Sequence, residues 1–167
     1  MRPIVFGVCV LMAACGQVSN SPTSPLAGAS AAQAQNATSL PFRGDLTTNT
    51  LAPPPNAVVT AEGTATYLGR FTARLTASVD LATGQGNGNL EFTAANGDRL
   101  VATFVGHGEF IPPNTGRLTE VATITGGTGR FAGATGTFTI VRFDIIDLST
   151  FLATGYGSFE GHISLNN

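Results

Sequence analysis

From Thr64 to Leu81 the chain alternates between two kinds of residue almost without a break. Ala65, Phe71, Ala73, Leu75, Ala77 and Val79 form one row, with Tyr67 and Gly69 in the same phase. Thr66, Arg70, Thr72, Arg74, Thr76 and Ser78 form the other, which also contains Leu68. A period of two predicts β structure with one face buried. As a single strand the segment would stretch roughly 60 Å, far longer than ordinary strands. It must therefore bend or break, and Gly69 is the expected place.

The next pair of strands can be registered from pattern alone. Leu90, Phe92 and Ala94 share a phase, as do Leu100, Ala102 and Phe104. A two-residue Asn96-Gly97 loop would put these rows on opposite faces. A three-residue loop, Ala95-Asn96-Gly97, sets Phe92 against Leu100 and Leu90 against Ala102, with Gly97 at the left-handed position of a bulged turn. The second register is expected. Further strands are predicted over 42–51, 118–125, 136–145 and 157–165. In the last, Phe159, Ile163 and Leu165 face inward and Glu160 and His162 outward. Leu81-Ala82-Thr83-Gly84 recurs as Leu152-Ala153-Thr154-Gly155, a weak hairpin repeat or a coincidence of composition. No segment has a helical period. The fold class expected is all-β, a single closed antiparallel barrel of eight strands, because closure removes exposed edges.

One stretch suggests a different class. Gly127-Thr128-Gly129-Arg130-Phe131-Ala132 satisfies the glycine pattern of a dinucleotide-binding loop. That fold needs an amphipathic helix directly after the glycines. Here "GATGTFTIVRF" follows, with β-branched residues and no helical stripe. These glycines are expected to form a tight connection between neighbouring strands.

The same residues carry a family resemblance. "ITGGTGRFAGATGTFTI" (124–140) resembles the glycine segment shared by plant allene oxide cyclases and dirigent proteins. Together with "GTATYLGRFT" (63–72) and "TAANGD" (93–98), it is similar in order to bacterial envelope proteins with an allene-oxide-cyclase-like barrel. The resemblance implies an eight-stranded calycin-like barrel. It transfers no catalytic residue, since "PFRGDLTTNTLAPPPNA" does not reproduce the acidic N-terminal segment of the plant enzymes. The paired aspartates of a dirigent pocket are not found in recognisable context.

The N-terminus gives an address. Arg2 precedes an apolar run from Ile4 to Ala14, about 11 residues long, which fits a signal h-region better than a membrane span. Met12-Ala13-Ala14-Cys15 resembles the lipobox of bacterial lipoproteins, which implies lipid attachment at Cys15. Cleavage after Ala32-Gln33-Ala34, giving a secreted protein, is the alternative. The expected organisation is a signal peptide over 1–14, an uncharged flexible tether over 15–40 and a barrel over 41–167. The expected location is the bacterial envelope, on the outer membrane. Discarding Cys9 with the signal leaves Cys15 as the sole mature cysteine, so no intramolecular disulfide is expected.

Composition narrows the function. Charged residues are 11% of the chain, the formal net charge is −2, and the basic residues, all Arg, are scattered. No basic stripe could neutralise phosphates, so nucleic acid is not an expected partner. His107 and His162 lack metal-ligand spacing and are expected in solvent. Arg142 with Asp144 and Asp147 suggests a local surface ion pair beside a loop acid. Glu62, Glu109 and Glu120 are isolated in sequence. No catalytic, cofactor-binding or metal-binding residue is assigned. Candidate pocket-lining residues are Tyr67, Phe71, Phe92, Phe104 and Tyr156. The inward rows contain no ionisable group, so the expectation is a non-catalytic module that binds a lipophilic small molecule or is structural. The alternative is an isomerase or cyclase acting on a lipid-derived substrate, which a hollow barrel with an inward carboxylate would favour.

Overall fold

The computed structural model describes residues 38–166. The signal peptide, Cys15 and nearly all of the tether lie outside the described residues. The strands are β1 (Ser39–Ala52), β2 (Asn56–Ala65), β3 (Gly69–Val79), β4 (Gln85–Ala94), β5 (Arg99–Ile111), β6 (Thr115–Gly127), β7 (Thr135–Ile146) and β8 (Ala153–Ser164). Each pairs antiparallel with the next, and β8 pairs with β1, closing the barrel. Closure leaves no strand with an unpaired edge.

The long alternating segment is two strands. It breaks at Thr66–Leu68, and Ala65 pairs with Gly69 across the turn. The turn upsets the phase: Leu68, from the polar row, is 1% exposed, while Tyr67 adopts φ 63 and stays at the surface. The β4–β5 hairpin has the register that pattern matching selects, Phe92 with Leu100 and Leu90 with Ala102, and Gly97 has φ 87. The Leu-Ala-Thr-Gly copies are not equivalent, since the first forms a turn and the second runs into β8. The structural repeat is instead Asp80–Gly84 and Asp147–Phe151. In each, the aspartate carbonyl accepts from the amide four residues on, Gly84 or Phe151, and that residue has positive φ.

The two ends of the barrel differ. At the end where β1 begins, Phe42, Phe71, Phe92, Phe138 and Phe159 meet in the interior, with ring centroids 5.0 to 6.4 Å apart. Tilted and edge-on rings suit aromatic quadrupoles and fill the space densely. The glycine segment lies over this end. Gly129–Phe131 is a single 3-10 turn whose Phe131 is fully buried, with Ala134 at 1% beside it. The turn is pinned to the β4–β5 hairpin, because Thr128 Oγ1 accepts from Arg99 N and Asp98 pairs with Arg130. The glycines therefore form a lid over a filled end, and no helix follows them.

Candidate functional site

At the opposite end the interior is open. A cavity of about 300 Å³ lies among the ends of the strands. Ala57, Val59, Leu75, Val79, Phe104 and Leu118 are among its apolar walls, and Glu120, Arg142 and Asp144 also line it. The volume is at the lower end of those that hold drug-sized ligands.

Strand phase places these charges inside. Glu120 continues the inward row of Ala122 and Ile124 in β6, and Arg142 and Asp144 continue that of Phe138 and Ile140 in β7. Across the ladder Leu118 faces Arg142 and Glu120 faces Ile140, so the guanidinium reaches Glu120 diagonally. Arg142 Nε donates to Glu120 Oε2 at 3.3 Å and Nη2 to Oε1 at 3.2 Å. Its Nη1 donates to Asp144 Oδ2. Thr48 Oγ1, from β1, donates to Asp144 Oδ1 at 3.0 Å. Glu120, Arg142 and Asp144 are 4%, 5% and 5% exposed. Burial disfavours the guanidinium charge, but attraction to Glu120, then to Asp144, and their hydrogen bonds outweigh it. The pKa of Arg142 is raised. Removing one member of such a group would cost about 3–5 kcal/mol.

Glycines make room for this cluster. A Cβ at Gly155 would collide with Asp144 Oδ1, and one at Gly157 would come within 2.6 Å of Arg142 Cβ. Gly86 and Gly108 are different. They also line the cavity, but a Cβ there would meet its nearest atoms at 3.4 and 3.8 Å, ordinary contacts. Neither has positive φ. No backbone demand explains glycine at these two positions; their effect is to leave the cavity empty.

Several sequence expectations need correction. Arg142 and Asp144 are not a surface pair: both are buried, and Arg142 has a second carboxylate partner in Glu120, an acid that looks isolated in sequence. The inward rows therefore contain ionisable groups. Asp147 stands apart in the β7–β8 turn, where it accepts from Ser149. Of the candidate lining residues, Phe104 lines the cavity, while Phe71 and Phe92 belong to the filled half. Tyr67 lies in the β2–β3 turn. Tyr156 lies on the outer wall, stacked on Phe143 at 6.0 Å and edging an open groove with Asp45 and Arg70. His162 is exposed; His107 is exposed at the cavity rim, its Nδ1 3.4 Å from Gln85 Nε2. Among the described residues no three His, Cys, Asp or Glu side chains gather as metal ligands. The buried charges were legible in principle: Glu120, Arg142 and Asp144 all share the phase of apolar residues two and four positions away.

Fold and site together define a closed eight-stranded antiparallel barrel, packed at one end and hollow at the other, with an acid–arginine cluster beside the hollow. No family model matches the chain, and no curated protein matches it. Among solved structures it is similar to a pterocarpan synthase dirigent protein, at 13% identity and a TM-score of 0.48, covering 78% of this chain and 86% of that one.

Proposed function

We propose that the barrel binds a lipophilic small molecule in its open half. The observation that carries this is the apolar cavity of about 300 Å³, kept empty in part by glycines that the backbone does not require. The mouth supports the same reading. Leu81, Phe110, Leu148 and Phe151 are 70%, 54%, 53% and 61% exposed in and beside the loops at that end. Apolar side chains around an opening give an apolar ligand a way in from an interface or a carrier. We place the module in the cell envelope, tethered by lipid at Cys15. Cys15→Ala should release the protein from membranes, and continued sedimentation with membranes would contradict the anchor.

Binding is tested with a neutral naphthylamine probe whose fluorescence rises in apolar surroundings. The full chain should bind it at one site. Gly108→Leu should weaken binding about tenfold or more without lowering stability, because the side chain occupies the cavity while the strand remains paired. Unchanged affinity in this variant would overturn the cavity reading.

A second reading, an isomerase or cyclase of a lipid-derived substrate, is favoured by the inward carboxylates of Glu120 and Asp144. Mass spectrometry of a ligand recovered from the protein separates the two. Unaltered ligand supports binding alone; an isomer formed by the native chain but not by Asp144→Asn supports catalysis.

A further inference from the structure

The charge balance of the cavity restricts the head group of its ligand. Its ionisable lining consists of three acids, Glu109, Glu120 and Asp144, with one guanidinium, Arg142, and His107. Arg142 is already engaged, with Nε and Nη2 on Glu120 and Nη1 on Asp144. Three of its five N–H groups are thus committed to two carboxylates, so an incoming carboxylate or phosphate would have to share a guanidinium that Glu120 and Asp144 already hold. Glu120 and Asp144 share a single cation between them, which leaves one negative charge beside an apolar wall. A charge in such surroundings is costly until a counter-charge arrives. Asp80 and Asp147, in the turns at the same end, add to the negative field at the mouth.

Resting on the reading of the cavity as a ligand site, we infer that its ligand is a cationic amphiphile: an apolar body carrying a protonated amine that lies against Glu120 and Asp144. Ammonium donors would complete the second lone pairs of these carboxylates and cancel the surplus charge, while the body covers Phe104, Leu118 and Val79. A fatty acid of the same length would bring a third carboxylate to one occupied guanidinium. The site therefore selects for the amine and against the acid.

The experiment compares decylamine, decanol and decanoate as competitors of the neutral probe on the purified full chain at neutral pH. Decylamine should displace it at least about tenfold more strongly than decanoate, with decanol between them. Added salt should weaken decylamine and leave decanol unchanged. Glu109→Gln, at the exposed rim, should narrow the preference without disturbing the buried cluster. Equal displacement by all three, or strongest displacement by decanoate, would overturn the inference while leaving the cavity as a ligand site. Failure of the chain to bind the probe would overturn the cavity reading itself.

Discussion

Phe151 occupies a backbone conformation meant for glycine. Its φ is 56, and its counterpart in the equivalent turn is Gly84, with φ 71. A side chain in the left-handed region costs about 1–2 kcal/mol. Phe151 is 61% exposed yet lines the cavity mouth, so burial in the core does not repay that cost. Phe151→Gly should therefore leave stability unchanged or raise it by up to about 1 kcal/mol, since relief of strain is partly offset by a freer unfolded chain. The same change should weaken probe binding. Calorimetric melting checks the first effect and fluorescence the second. A loss of more than about 1 kcal/mol would show that Phe151 is held for packing. Strain of this kind is invisible in sequence, where "DLSTF" shows no sign that its last residue has positive φ. The buried charged residues are a different case. Phase alone puts Glu120, Arg142 and Asp144 inside, and only the habit of assigning charge to the surface hides them.

At the level of elements, the two mouth hairpins share one device. Asp80 Oδ1 accepts from Ala82 N at 2.8 Å, and Asp147 Oδ1 accepts from Ser149 N at 2.8 Å. The hydrogen bond from the Ala82 amide is the main cause lowering the Asp80 pKa below 3.8, and the Ser149 side chain is the main cause for Asp147. A carboxylate lowered in the folded state contributes stability above its unfolded value and loses it as pH falls through the folded one. Acid should thus loosen the mouth hairpins while the phenylalanine-filled end holds. In an amide NMR titration, Ala82 and Ser149 should shift with midpoints below 3.8. Midpoints at or above that value would contradict the account. The strands themselves are largely readable in sequence, because the alternation of side chains makes one register of β4 on β5 bury both apolar rows. Turn geometry is less so, since Tyr67 and Leu68 exchange environments within a single tight turn.

On the scale of the whole molecule, one barrel contains two interiors. Pattern reading poses a choice between a filled and a hollow barrel, and the structure contains both. Large rings crowd one half, whereas small and aliphatic side chains, with Phe104 and the Glu120–Arg142–Asp144 cluster, line the other. Sequence shows the alternation of large and small residues but not how the small ones gather along the axis, which depends on how eight strands are staggered around the barrel. If the open half is a binding cavity, an alkyl chain should enter it. Crystals of the full chain soaked with 1-bromodecane test it most directly, because bromine is located by its anomalous scattering. The bromine or its chain should lie among Phe104, Leu118 and Val79, inside the open end. Bromine only on the outer wall, or an open end with no ordered alkyl chain under saturating soaks, would contradict the account.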